Sequence, residues 1–266
     1  MRQMPLHRVP TALALSALAL GALTACGSKG DSTDAAAHAP SASASASPSA
    51  SASPSPSPSP TAPALADLTA GEIAQKSRDA GEKLNSVTMT LTLPGYPGGA
   101  FDGTFSEDNS GNCHGTFSIG GQGSAEIVRV GTDVWLKPDA AYLKNLLAGT
   151  SAKAAGKWIP SGNTVKDKAL FCDLGVQLEK RVGLHTDGNL VDGIAKGGTK
   201  QVDGAPAVVL TMTDDDGAPV RYDIAAEGEP RLLVTETGNG DMVVRLGGFD
   251  QPVQVTAPAA DQVFQH

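Results

Sequence analysis

The sequence predicts an α+β domain built on a single curved antiparallel β-sheet, with its helices gathered on one face. Three observations predict this fold class. Alternating apolar and polar residues recur before and after a central stretch, that stretch has the apolar spacing of helices, and turn dipeptides containing Gly separate the later runs. The predicted order is one helix, about five strands, two helices and about five more strands.

The chain begins with the features of a bacterial secretory signal. Arg2 and Arg8 precede an apolar run at residues 9–23. That run is shorter than the ~20 residues that a membrane-spanning helix needs, and small residues follow it, as in a signal peptide. It ends in Leu23-Thr24-Ala25-Cys26, which resembles the lipobox, the motif whose Cys is acylated with diacylglycerol and becomes the mature N-terminus.

We therefore expect residues 1–25 to be a lipoprotein signal peptide and Cys26 to be the site of lipid attachment. Two acyl chains give stable membrane anchoring, where one chain is only marginal. The rest of the chain would then lie on the extracytoplasmic face of the cell membrane. The alternatives are an ordinary cleaved signal that leaves a free Cys, and an uncleaved anchor.

A tether of very simple composition follows the lipobox. Every residue from 39 to 60 is Ala, Ser or Pro. Such a segment has no apolar surface to bury, so it is predicted to be disordered and extended. We expect residues 26–63 to form the lipidated, disordered tether and residues 64–266 to form one folded domain.

Charge and composition limit the partners and the core. The net charge is −8, and the signal peptide contributes two Arg and no acidic residue, so the mature chain is more acidic still. This charge argues against nucleic acid and against electrostatic docking on anionic lipid. Because only 4% of residues are aromatic, the core must be mostly aliphatic.

The cysteines indicate one disulfide. The chain has three, and acylation of Cys26 leaves Cys113 and Cys172 as an even pair in an oxidising compartment. A disulfide between them is the simplest interpretation. Two buried free thiols are the alternative.

The first helix and the first strand have clear local signals. Thr69 and Glu72 have the spacing of a capping box, in which each side chain bonds to the other residue's backbone N–H. Val87, Met89 and Leu91 then alternate with Thr residues, which is typical of a strand with one buried face. Four more strands are predicted at residues 101–106, 113–119, 125–130 and 134–137.

Two helices are predicted in the middle of the chain. Pro138-Asp139 suits a helix start. Thr164 with Asp167 would open a second helix, whose apolar residues recur every four positions. These residues are Leu170, Leu174, Leu178 and Val182. The strand pattern resumes at Thr199 and continues at residues 207–213, 219–225, 231–237 and 242–246.

No catalytic set, cofactor motif or metal site emerges, so we expect a protein that is not an enzyme. Residues 111–115 spell Gly-x-Cys-x-Gly, but the strand continues beyond them, and His114 and Cys113 would point to opposite faces. Asp214-Asp215-Asp216-Gly217 lacks the spacing of a calcium loop. His114, His185 and His266 lack the spacing of metal ligands.

Several short sequence segments within residues 64–266 are similar to those of one known group of proteins. They are the strand at residues 87–93, Val134-Trp135-Leu136-Lys137, Gly156-Lys157-Trp158 and the closing run at residues 249–258, preceded by the lipobox and the tether. Together they resemble the actinobacterial LppX/LprG-type lipoproteins. This resemblance implies a LolA-like half-barrel sheet, with helices packed on its concave face over an apolar cavity that carries acylated lipids. The Cys113/Cys172 pair is not expected throughout that family.

The predicted ligand-binding residues would line this cavity from two sides. Inward-facing strand residues form one wall, and leucines of the second central helix cover it. They are Val87, Met89, Leu91, Phe105 and Phe117 on the sheet, and Leu170, Leu174 and Leu178 on the helix. We expect a vacant apolar space that touches Met89 or Leu174.

The sequence thus predicts a membrane-anchored extracytoplasmic lipoprotein that binds or carries a lipid or a lipid-linked glycan. The alternative is an envelope interaction or sensor lipoprotein with a filled core and no small ligand. A third hypothesis is a hydrolase whose dispersed residues the sequence does not reveal. The expected partners are the membrane and a hydrophobic ligand, and the expected state is a monomer.

Overall fold

The computed structural model describes residues 64–147, 150, 152–160, 167–185 and 187–265. These residues all belong to one compact unit. The predicted signal peptide, the acylated Cys26, the tether and Thr164 lie outside the described residues. No helix among the described residues is long and apolar enough to cross a membrane.

Eleven antiparallel strands form one sheet in this part of the chain. The strands are β1 (Ser86–Leu93), β2 (Phe101–Asp108), β3 (Cys113–Ile119), β4 (Gly123–Val130), β5 (Asp133–Pro138), β6 (Ile159–Pro160), β7 (Ala195–Val202), β8 (Ala205–Thr213), β9 (Pro219–Ala225), β10 (Leu232–Thr237) and β11 (Met242–Gly247). The spatial order β6-β5-β4-β3-β2-β1-β11-β10-β9-β8-β7 is that of two meanders joined through β1 and β11. The predicted α+β fold class is confirmed.

The junction of the two meanders is a pairing between the first and last strands. Met89 lies opposite Leu246, and Leu91 lies opposite Val244. All four side chains are buried. Because the register places apolar residues of both strands on the same face, the core continues from one meander to the other without a break.

Three α-helices lie in the described residues: α1 (Ala70–Gly81), α2 (Ala140–Leu146) and α3 (Leu174–Glu179). The predicted capping box of α1 is confirmed, since Thr69 accepts from the Glu72 N–H and Glu72 accepts from the Thr69 N–H. Asp139 caps α2 by accepting from the Tyr142 N–H at 2.7 Å. Short 3-10 helices occupy Leu65–Asp67, Ala152–Ala154, Asp167–Cys172 and Ala260–Gln262.

The prediction of a continuous second central helix was wrong. The chain forms the 3-10 helix Asp167–Cys172 and then the separate helix α3. A 3-10 helix has three residues per turn, so a four-residue apolar spacing does not stay on one face. Leu170 is consequently 72% exposed and does not cover the sheet. We call residues 167–179, the 3-10 helix together with α3, the cover segment.

The sequence pattern missed one strand and shortened another. No strand was predicted between the two central helices, but Ile159–Pro160 pairs briefly with β5. Strand β7 begins at Ala195, four positions before Thr199. Seven of its eight residues are exposed, so it lacks the apolar alternation that predicts a strand.

The main core lies between the sheet and the helices. It includes Val87, Met89 and Leu91 from β1, and Ile73 from α1. A second, smaller cluster contains Val202, Ala207 and Val234.

The predicted disulfide is confirmed: Cys113 of β3 and Cys172 of the cover segment are bonded, with their Cα atoms 5.7 Å apart. Both residues are buried. The bridge therefore attaches the end of the 3-10 helix to the middle of the first meander.

Removing this bridge should destabilise the domain. The two residues are 59 positions apart, and a closed loop of that size is worth about 4 kcal/mol in the chain-entropy model, as an upper value. The variant Cys113→Ala/Cys172→Ala should therefore unfold at lower urea concentration than the oxidised protein. Reduced wild type serves as the control and should behave like the variant. Equal unfolding midpoints for oxidised and reduced wild type would contradict the expectation.

Candidate functional site

The five predicted sheet residues of the ligand site do lie together on the helix-facing side. Val87, Met89 and Leu91 project from β1, and Phe105 and Phe117 project from β2 and β3. Each is at most 3% exposed. Leu174 and Leu178 pack against the same core, whereas Leu170 does not.

A ring that the sequence did not single out fills the space between these residues. Phe171, in the cover segment, has its ring centroid 4.8 Å from that of Phe101, 5.4 Å from that of Phe105 and 6.3 Å from that of Phe117. Tyr142 adds an edge-on contact to Phe117 at 5.6 Å. Side chains thus occupy the place where a vacant apolar space was expected. Neither Met89 nor Leu174 lines any of five hollows of about 200–470 Å³ formed by described residues.

Arg129 holds the middle of the cover segment beside the disulfide. Its guanidinium donates to both carboxylate oxygens of Asp173, at 2.8 and 2.9 Å, and to the Cys172 carbonyl at 3.0 Å. A further bond reaches the Gly111 carbonyl at 2.8 Å. The Arg129 side chain is only 10% exposed. A bidentate pair of this kind fixes geometry as well as adding energy.

Close backbone approach explains the glycine in α3. A Cβ atom at Gly175 would lie 2.9 Å from Cγ1 of Val87 and 3.1 Å from Oε1 of Glu107. Gly175 therefore lets the start of α3 lie directly on β1 and β2. Glycine has a low helix propensity, so this close contact comes with a small loss of helix stability.

Two buried glutamate carboxylates link α3 to the sheet through hydrogen bonds with backbone N–H groups. Glu107 of β2 is 0% exposed, and its Oε1 accepts from the Val176 N–H at 2.6 Å, while its Oε2 has no hydrogen-bond partner among the described residues. Burial raises the pKa of the Glu107 carboxyl to about 7, against the opposing effects of the Val176 N–H and of Arg129. The protonated, neutral form is thus favoured up to near-neutral pH.

Glu179 occupies the other end of α3. It is also 0% exposed, and both of its oxygens lie 3.2 Å from the Leu232 backbone nitrogen, from which they accept. Burial raises the pKa of the Glu179 carboxyl to about 7, although the Leu232 N–H and Arg231 act in the opposite direction. The two glutamates therefore connect α3 to β2 on one side and to β10 on the other.

An apolar hollow of about 250 Å³ adjoins the far end of the cover segment. Leu178 of α3 forms part of its wall, so one predicted ligand residue does line an open space. The other apolar walls are Leu184, Met212, Val220, Tyr222 and Met242. The other half of its lining residues is polar: His185, Asp214, Asp215, Asp216, Thr235 and Thr237. Apolar walls with a few polar groups are typical of small-molecule sites.

A second hollow, of about 470 Å³, lies on the opposite face of the sheet. Its walls are largely polar and include Thr90, Thr104, Thr116, Ser118, Asp102, Glu126 and Lys137. Glu126 and Lys137 form an ion pair at 2.9 Å, and the Lys137 ammonium lies 5.5 Å from the Trp158 ring centroid. Phe117, another predicted ligand residue, also lines this hollow together with Ala125 and Pro138, so its lining is mixed and less apolar than that of the hollow at Leu178.

The remaining candidate motifs form no catalytic or metal-binding arrangement within the described residues. Cys113 is bonded to Cys172 and is not a free thiol. Asp214 closes its turn by accepting from the Asp216 and Ala218 N–H groups. In the part of the chain that the structure describes, no three His, Cys, Asp or Glu side chains converge as metal ligands would.

No protein-family model and no curated protein matches the chain in sequence. Solved structures are similar to it. LprF from Mycobacterium bovis is 17% identical over 72% of this chain and 97% of LprF, with a TM-score of 0.49. The lipoprotein LppX from Mycobacterium tuberculosis is 18% identical over 70% of this chain and 98% of LppX, with a TM-score of 0.46. LppX is one of the group that the sequence resembles.

Substitution of Gly175 should disturb the packing of α3 against β1 and β2. Alanine gains up to about 1 kcal/mol in helix propensity, but overpacking against Val87 and Glu107 costs about 1–3 kcal/mol. We therefore expect Gly175→Ala to lower the free energy of unfolding, measured by urea titration. The matched control is Gly71→Ala in α1, where an added Cβ meets nothing within 4 Å. Equal or higher stability of Gly175→Ala relative to Gly71→Ala would contradict this account.

Proposed function

We propose that the chain is an extracytoplasmic lipoprotein, held at the cell membrane by an acylated Cys26, whose domain binds an apolar, lipid-class ligand beside the cover segment. Its role is binding rather than catalysis, and the domain acts as a monomer. The observation that carries the proposal is the apolar hollow at Leu178. This hollow lies on the helix-facing side of the sheet, where the main core also lies.

The hollow has the chemistry of a lipid-chain site but only part of the size. Leu178, Met212 and Tyr222 present apolar surface, and each CH₂ group buried there is worth about 0.8 kcal/mol. At about 250 Å³ the hollow is slightly smaller than the ~300–1,000 Å³ of ordinary ligand pockets. A longer chain therefore needs additional space, and α3 lies next to the hollow.

Movement of α3 off the sheet would supply that additional space. Leu174 and Leu178 of α3 pack against the main core and are only partly buried. Displacing them would widen the hollow toward the apolar face of β1, on which Gly175 lies. In this proposal, α3 covers this apolar surface until a ligand enters.

A second candidate function is an envelope interaction or sensor lipoprotein without a small ligand. The filled aromatic cluster favours it, because the side chains of the domain are sufficient to bury Met89, Phe101 and Phe105 fully. Native mass spectrometry of the Cys26→Ser chain, followed by organic extraction, separates the two. Bound lipid supports the first function, and a protein partner captured without lipid supports the second.

The anchoring part of the proposal predicts a change of location. Acylation needs the Cys26 sulfur, so Cys26→Ser should move the protein from the membrane fraction to the soluble extracellular fraction, or leave it unprocessed. Fractionation with immunodetection measures this, and the wild-type chain serves as the reference. Normal processing together with membrane retention of Cys26→Ser would overturn lipid anchoring.

The ligand part predicts the effect of filling the hollow. Leu178→Trp should place an indole in the space and lower the uptake of a fluorescent fatty acid by tenfold or more, a loss of about 1.4 kcal/mol. Leu170→Trp is the matched control, because it adds the same ring to the same segment at a side chain that is 72% exposed. Thermal unfolding should show that both variants are folded. Equal uptake by the two variants would exclude this hollow as the site.

A further inference from the structure

Helix α3 is attached to the sheet by one buried carboxylate near each end. At its start, Glu107 accepts from the Val176 N–H, and at its end Glu179 accepts from the Leu232 N–H. With six residues, α3 is too short to be stable without its tertiary contacts. These two contacts therefore contribute substantially to keeping it on the sheet.

No cationic side chain among the described residues forms an ion pair with Glu107. The charged groups that face it are Arg129 from β4 and Asp173, which precedes α3. Arg129 already donates to Asp173, to Cys172 and to Gly111. The remaining polar neighbours are backbone N–H groups at Gly175 and Val176, and within the part of the chain that the structure describes Oε2 has no hydrogen-bond partner. An ionised carboxylate at this dry position would be strongly destabilising.

Glu179 has a similar environment. The charged groups facing it are Arg231, which precedes β10, and Asp250, which follows β11. Arg231 donates to Asp250 at 3.1 Å and to the Ala80 carbonyl of α1, and not to Glu179. From α1, the Gly81 backbone also packs closely on Glu179. The backbone of Glu179 thus packs against α1, and its carboxylate bonds to β10.

We propose that helix α3 is a proton-controlled lid, which is closed when Glu107 and Glu179 carry protons and released when both ionise. This rests on the proposed function, because the release of α3 gives a ligand access to the hollow that Leu178 lines. Ionised carboxylates gain hydration when α3 moves off the sheet. The Cys113–Cys172 disulfide and the Arg129–Asp173 pair hold the segment before α3, so α3 moves about a fixed attachment.

The direction of the pH effect follows from proton linkage. Burial in the closed form raises the pKa of each carboxyl from 4.5 to about 7, and exposure in the open form returns it toward 4.5. Between these pH values the closed form binds more protons, so it loses stability as the pH rises through this window. For one carboxylate, the open fraction should rise on the order of 10- to 100-fold between about pH 5 and pH 8.

Hydrogen exchange followed by mass spectrometry tests this on the Cys26→Ser chain, without added ligand. Exchange rates are corrected for the intrinsic pH dependence of amide exchange. The expected result is that protection of the amides in α3 falls at least tenfold between about pH 5 and pH 8. Protection in β1 should not fall in parallel. A pH-independent α3, or an equal fall in β1, would overturn the lid.

Variants identify the groups responsible. Glu107→Gln/Glu179→Gln keeps a neutral side chain of the same shape at both positions, so α3 protection should become pH-independent. Glu126→Gln, at an exposed carboxylate on the other face, should retain the wild-type pH dependence. Persistent pH dependence in a folded double Gln variant would overturn the assignment. If that variant fails to fold, the wild-type comparison of α3 with β1 still decides.

Failure of the lid and failure of the proposed function can be told apart. Fatty-acid uptake is measured beside the exchange, at the same pH values. Opening with rising pH that is accompanied by faster uptake supports both proposals. Opening with no uptake at any pH supports the lid and overturns lipid binding. Uptake with no opening overturns the lid and leaves lipid binding in place.

Discussion

The pairing of β1 with β11 is the constraint on which the rest of the structure depends. Each meander could form from local turns, but only this pairing makes one sheet of them. It aligns Met89 with Leu246 and Leu91 with Val244, so both halves present apolar residues to the same helices. The cover segment lies in the connection between the meanders. Its attachments reach both halves, to Glu107 and Cys113 in the first and to Leu232 in the second.

Local signals in the sequence predicted most of this architecture. The alternation of Val87, Met89 and Leu91 with Thr placed β1 and its buried face correctly, and the Thr69/Glu72 spacing placed the start of α1. The disulfide followed from counting cysteines. The strand and the helix start were predicted correctly because each depends on residues that are close together in the sequence. The disulfide was predicted correctly because it depends on the number of cysteines and the redox compartment. The order of strands across the β1–β11 junction depends on contacts distant in sequence, which periodicity does not encode.

The site was predicted less well, for reasons that differ between residues. Leu170 was misplaced because a four-residue spacing was assumed to mean an α-helix, and the chain adopts a 3-10 helix there. Phe171 was missed because it is adjacent to the assumed apolar stripe and not in it. The sequence could have shown that Glu107 is buried, since it lies on the same face of β2 as the buried Phe101 and Phe105. A carboxylate on the buried face of a strand is rare enough to indicate a special role.

The central position of β1 also determines how the chain is exposed during synthesis. Because synthesis and export both proceed from the N-terminus, the first meander, β1 to β5, is available before β11. Until β11 arrives, β1 has one unpaired edge, and that edge belongs to a strand of eight alternating residues with no Pro or charge to protect it. Premature pairing with a second nascent chain would mimic the native β1–β11 contact. The strand that later unites the domain is thus, for a time, its most aggregation-prone edge.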